Sequence, residues 1–140
     1  MHMSAPRILL IDDDQVTRKA LEFKLGSQGY EVVSAATGSA ALKAATEQKP
    51  DLMILDLKLD SDPLDSMRDG FTLLGWMRRM VPDCNFPVII HTIGATEEVE
   101  ARAQAEGIYA VLQKSADVQK VLDTVRQALE PGGEVSAAAG

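Results

Sequence analysis

The chain has 140 residues, 46% apolar and 25% charged, with 14 Lys and Arg against 21 Asp and Glu for a net charge of −7. That length and composition suit one globular domain with a real core and exclude a disordered chain. The acidic balance argues against nucleic acid or an anionic membrane surface as the main partner, because both are held by clustered Lys and Arg.

Residues 1–6 lack the basic-plus-apolar pattern of a signal peptide, and Met1-His2-Met3 reads in part as an expression scar. The first strand is expected over 7–11 (RILLI), followed by three acids, Asp12, Asp13 and Asp14, and a helix over 14–28. A second strand over 31–35 (EVVSA) leads to a helix over 38–48, and a third over 51–55 (DLMIL) ends at Asp56. A long connection then reaches Asp69-Gly70 and a helix over 70–80. The fourth strand, 87–91 (PVIIH), ends before Thr92 and precedes a helix over 96–106; the fifth, 109–112 (YAVL), ends just before Lys114. The last helix, 116–130, carries Val118, Val121, Leu122, Val125 and Leu129 on one stripe. Residues 131–140, opening with Pro-Gly-Gly, read as a flexible tail or the start of a linker. No apolar run approaches the roughly 18 residues that span a bilayer. Cys84 is the lone cysteine, so no internal disulfide forms and a reducing, cytoplasmic setting is expected.

Short β-branched or Leu-rich runs alternating with helical stretches predict a (βα)5 α/β domain over 7–130. Its parallel sheet would be covered on both faces. Right-handed crossovers favour the flavodoxin-like strand order 2-1-3-4-5, in which ligands sit beyond the carboxyl ends of the strands. Asp12, Asp13, Asp56, Thr92 and Lys114 all fall at that edge. Clustered carboxylates repel one another and are normally kept ionised by a hard cation with oxygen ligands, most naturally Mg2+. Asp56 can then offer an oxygen as a nucleophile while Lys114 supplies a compact cation and the Thr92 hydroxyl donates to a phosphoryl oxygen. Asp14 reads as a helix N-cap instead. Singly, Thr92 would be a structural hydroxyl and Lys114 a solvated charge; their common location on one edge gives them meaning.

With ILLIDDDQVTRKAL, PDLMILDLKL, PVIIHT and VLQK in place, the sequence resembles the receiver domains of bacterial two-component response regulators over almost its whole length. The resemblance implies phosphorylation of Asp56 and binding of Mg2+ by the Asp13 and Asp56 side chains and the Lys58 carbonyl, with Asp12 helping largely through water. It also implies that Thr92 hydrogen-bonds the phosphoryl group and Lys114 ion-pairs with it. The donor would be a phosphohistidine on a sensor histidine kinase or histidine phosphotransfer protein. Output would pass to a downstream effector protein or to residues outside this chain, and self-association into a homodimer stays open. Such a chain catalyses its own phosphorylation and dephosphorylation without being a conventional enzyme.

Three departures stand out. Ser115 follows Lys114 where the family usually has Pro, so a cis bond is disfavoured and the lysine must be positioned another way. Val111 occupies the place of a usual aromatic, while Tyr109, two residues earlier, is expected on the same strand face at another depth. The connection after Asp56 is about half a dozen residues longer than usual for such a domain. Over 56–69 it holds five acids against two bases, a net of −3. It reads as a solvated acidic loop or as a partner-selecting or site-covering one. An alternative function follows: a receiver-like interaction module that works without phosphorylation through loop 57–69. His91 should face away from Thr92 and pack against a helix, Cys84 should be an unreactive thiol, and Trp76, Met77 and Met80 should be core or rim. Gly94 leaves space beside the phosphoryl group, and Lys58 is long enough to reach over it. An Asp-nucleophile phosphatase would want an acid at position 58, and a flavodoxin-type phosphate loop would not carry three acids.

Overall fold

The computed structural model describes residues 4–60, 62–115 and 117–130. The expression scar read at residues 1–3 and the tail read at 131–140 lie outside the described residues. Strands and helices alternate as β1 (Arg7–Ile11), α1 (Gln15–Ser27), β2 (Glu31–Ala35), α2 (Gly38–Gln48), β3 (Leu52–Leu55), α3 (Gly70–Met80), β4 (Val88–Thr92), α4 (Glu97–Ala105), β5 (Ala110–Gln113) and α5 (Val118–Leu129). The strands form one parallel sheet in the order β2-β1-β3-β4-β5, as the sequence predicts.

Strand alternation sends successive side chains to opposite faces and so divides the core in two. Leu9, Ile11, Met53, Leu55, Val88 and Ile90 pack with Ala41, Ala45, Leu73, Leu74 and Met77 on the α2, α3 and α4 face. Ile8, Leu10, Leu52, Ile54, Ile89 and Leu112 pack with Leu21, Leu25, Val121, Leu122 and Val125 on the α1 and α5 face. In α5 the stripe takes in Ala128, which is buried, with Val118 and Leu129 at its margins.

Helix starts are set by side-chain caps. Asp14, Thr37, Asp69, Thr96 and Asp117 each accept from first-turn backbone N–H groups that would otherwise lack partners. After α1 and α4 the chain turns at Gly29 and Gly107, with φ of 91° and 75°, a region that glycine enters without steric cost.

β4 and β5 each lie one residue later in the chain than expected. Thr92 is the last residue of β4, paired with Gln113, rather than the first residue beyond the strand. Tyr109 precedes β5, in a bend. Alternation governs only residues inside the ladder, which starts at the Ile89–Ala110 pair. Tyr109 therefore packs on the α1 and α5 core and Val111 on the opposite one, so they do not share a face.

Candidate functional site

The sheet itself brings the acids together. Asp12 N–H continues the ladder to Ala35 O at 3.1 Å and Asp56 N–H to Ile11 O at 2.9 Å, so the ends of β1 and β3 lie side by side. Asp12 and Asp56 are 1% and 4% exposed, and Asp13 is half-buried. Asp12, Asp13 and Asp56 each offer a carboxylate oxygen within 4.8 Å of the others.

Lys114 enters from the end of β5. Its Nζ lies 2.9 Å from Asp56 Oδ2 and 3.1 Å from Asp12. Its backbone N–H donates to Thr92 O at 2.8 Å, which fixes the end of β5 against β4. Burial pushes the Asp56 carboxyl up to about 6, against the pull of its hydrogen bond and charge contact with Lys114; the Asp12 charge adds to the rise. Burial disfavours the Lys114 ammonium, but its bonds to Asp56 and Asp12 outweigh that and hold its pKa above the ordinary lysine value.

Three ionised carboxylates beside one ammonium leave two negative charges uncompensated. An oxygen-only donor set with that deficit fits a hard divalent cation such as Mg2+. The Lys58 N–H donates to Asp56 Oδ1 at 3.3 Å, so the chain turns tightly after Asp56 and keeps Lys58 at the rim of the cluster, its side chain exposed.

Thr92 is buried at the same edge, and its hydroxyl accepts from Gly94 N–H at 3.4 Å; no hydrogen bond joins it to Asp56. Gly94 has no atom within 4 Å of the place a Cβ would take, so the space beside Thr92 is open. Asp14 serves α1 as its cap, accepting from Val16 and Thr17 N–H groups. His91 is buried, one residue out of phase with Thr92 along β4, and its Nδ1 has no hydrogen-bond partner among the described residues; burial, and then the Lys114 charge, lowers its pKa. The half-buried Cys84 thiol is pushed up by burial, away from the reactive thiolate. Of the α3 residues, Met77 is core, whereas Trp76 and Met80 are largely exposed.

The acidic connection is folded onto the domain. Lys58 and Asp69 form an antiparallel bridge, with Leu59 N–H to Arg68 O at 2.9 Å and Gly70 N–H to Leu57 O at 2.8 Å closing its neck. Leu59 is buried beneath it. Asp60 N–H donates to Asp13 Oδ2 at 2.9 Å, so the loop touches the acidic cluster directly. Further along, the Asp65 carboxylate accepts from Ser39 N–H and Ser39 Oγ at 3.0 Å and from Met67 N–H at 2.8 Å. This loop therefore also serves the start of α2. Gly38 permits the approach, since a Cβ there would lie 2.2 Å from Met67 O. Sequence reasoning found neither Asp65 nor Gly38, because the contacts that give them meaning, Asp65 to Ser39 and Gly38 to Met67, join residues 26 and 29 apart in the chain.

The comparisons decide the family: the model of the response regulator receiver domain matches residues 8–126. The chain belongs to that family. Transcriptional regulatory protein GlrR of Escherichia coli (strain K12) is 32% identical to this receiver over 123 residues, covering 88% of this chain and 26% of that protein. Across the curated relatives it matches, the chain spans from about a quarter to about half of their length. Among solved structures, the non-phosphorylated HemR receiver domain from Leptospira biflexa superposes with a TM-score of 0.79 at 25% identity, covering 90% of this chain and 95% of that one. A response regulator from Burkholderia pseudomallei, described with a phosphorylated aspartic acid, a calcium ion and citrate, gives 0.72 at 27% identity, with 91% and 68% covered. The Lys114–Ser115 bond of this receiver is trans, and the lysine is positioned by its backbone bond to Thr92 and its two carboxylate partners. No helix among the described residues is long and apolar enough to cross a membrane.

Proposed function

We propose that residues 7–130 form a phosphoacceptor receiver in which Asp56 takes a phosphoryl group from a phosphohistidine on a sensor histidine kinase or histidine phosphotransfer protein. The observation that carries this reading is the buried Asp56 carboxylate, held 2.9 Å from Lys114 Nζ with Asp12 and Asp13 beside it. An Asp56 oxygen attacks phosphorus, the bond from phosphorus to the imidazole nitrogen breaks, and the ring, already protonated on its other nitrogen, leaves as neutral imidazole with the electron pair. Asp12, Asp13, Asp56 and the Lys58 carbonyl would hold Mg2+, which when bound neutralises charge on the transferring group. Lys114 shifts from a partner of the free carboxylate to a partner of the phosphoryl oxygens, and Thr92 donates its hydroxyl to one of them. Phosphorylation adds roughly −1.5 to −2 charge at this edge, which biases the surface made by the β4-to-α4 turn and β5.

The protein acts in this reading as a cytoplasmic switch for an effector, not as a conventional enzyme. The phosphorylation-independent module built on loop 57–69 is disfavoured, because Asp12, Asp13, Asp56 and Lys114 stand assembled where phosphotransfer needs them. Incubation with acetyl phosphate and Mg2+ followed by intact-mass measurement should show one phosphoryl addition. No addition, or one that persists in Asp56→Asn, refutes the proposal.

A further inference from the structure

The turn that leads from Thr92 into α4 has almost nothing apolar to hold it. Ile93 is 66% exposed, and the place of a Cβ on Gly94 is empty within 4 Å. What the turn has instead is one side chain from the neighbouring strand. Gln113, half-buried and paired with Thr92 at the end of the ladder, donates Nε2–H to Ile93 O at 2.5 Å and accepts Ala95 N–H on Oε1 at 3.2 Å. A single planar amide thus satisfies a carbonyl and an N–H two residues apart.

The turn is bracketed on both sides. Behind it, Thr92 O accepts from Lys114 N–H. Ahead of it, Thr96 N–H donates to Gly94 O at 2.8 Å, and the Thr96 hydroxyl caps α4 at Val99. Displacement of Thr92 must therefore carry residues 93–95 with it, and these cannot move independently of β5 while both Gln113 bonds are intact. Val111, inward-facing and apolar, offers the turn no polar link.

We propose that Gln113 is the positioning residue of this switch: its amide sets the Thr92–Ala95 turn and couples displacement of Thr92 to β5 and the start of α4. The proposal rests on the phosphoacceptor reading for the event that moves Thr92, but the restraint itself exists without phosphorylation. Replacement by Ala removes both bonds. Gln113→Glu keeps an acceptor for Ala95 N–H and turns an acceptor toward the Ile93 carbonyl, so it breaks one bond and preserves the other.

Amide exchange and amide spectra on the full chain test this. In the unphosphorylated protein, Ala95 N–H should exchange roughly fivefold or more faster in Gln113→Ala than in wild type, the range expected for loss of one hydrogen bond, and stay protected in Gln113→Glu. With acetyl phosphate and Mg2+, at matched Asp56 occupancy by intact mass, the wild-type spectrum should change through β5 and the start of α4. In Gln113→Ala the change should be confined to the surroundings of Asp56 and Thr92. Unchanged Ala95 exchange in Gln113→Ala, or a full β5 and α4 response in that variant, overturns the proposal. A wild-type chain that gains no mass defeats the phosphoacceptor reading and the coupling built on it; faster Ala95 exchange in Gln113→Ala would then still establish the positioning of the turn.

Discussion

Lys114→Met removes the ammonium and keeps most of the apolar stem, leaving Asp12 and Asp56 buried and without their cation. Breaking a buried ion pair costs on the order of 3–5 kcal/mol when the remaining charge has no escape. Asp56 has one, because it can take up a proton. Its pKa is already about 6 with Lys114 present, and loss of that partner raises it further. At pH 7.5, neutralising a carboxyl of pKa about 6 costs ~2 kcal/mol, so the Asp56 share of the loss is capped near that figure. The folded-state pKa lies above the unfolded value of 3.8, so wild type loses stability from this group as pH rises toward about 6 and then levels off. The variant, with a higher pKa, goes on losing stability above pH 6. Urea unfolding in the absence of divalent ions should therefore show the two proteins diverging at pH 7.5, with the gap narrowing by about 2 kcal/mol at pH 5, where Asp56 is largely protonated in both. A gap that does not narrow at pH 5, or one under about 0.5 kcal/mol at pH 7.5, would refute the assignment of Lys114 as the compensating charge.

The same protonation governs the ion. In isothermal titration, apparent Mg2+ affinity should be flat above neutrality and fall roughly tenfold per pH unit below about 6, because a protonated Asp56 must release its proton to become a ligand. Asp65→Asn keeps one acceptor oxygen but loses the charge that hydrogen bonds from Ser39 and Met67 stabilise, and should cost about 1–3 kcal/mol by denaturant unfolding at pH 7. Those bonds hold the Asp65 carboxyl below its ordinary range, so its contribution is complete above the unfolded value and disappears as pH falls through the lower folded one; wild type and Asp65→Asn should converge in strong acid. Gly38→Ala puts a Cβ 2.2 Å from Met67 O, so the loop must leave α2; faster amide exchange at Ser39 and Met67 would report it, and native exchange at both would show the contact to be tolerant.

The acidic cluster was legible in the sequence because its parts sit at strand ends, and a parallel sheet in this order lines strand ends along one edge. Apolar runs of four or five residues separated by capped helices suffice to specify that arrangement, since the hydrophobic pattern and the caps are local. Asp12, Asp13, Asp56, Thr92 and Lys114 could therefore be assigned to one edge before any contact was known, with Asp14 read apart from them as the cap of α1. His91 followed by the same reasoning, as a residue one step out of phase with Thr92.

Tertiary structure decided what depends on contacts between distant segments. Tyr109 left the expected face because the β5 ladder begins one residue later, and ladder registration is set by β4. The acidic loop reads from sequence as solvated chain or as a partner-selecting or site-covering loop; only the fold gives Asp65 its partner Ser39 and sets Asp60 N–H on Asp13. Nothing in the sequence singles out Gln113, and only the fold places its amide across the turn after Thr92. Composition and periodicity are properties of a segment and determine which elements form and which edge carries the acids. Hydrogen bonds across 18 to 47 residues are properties of the packed chain, and they determine how the loop and the turn after Thr92 are held around that edge.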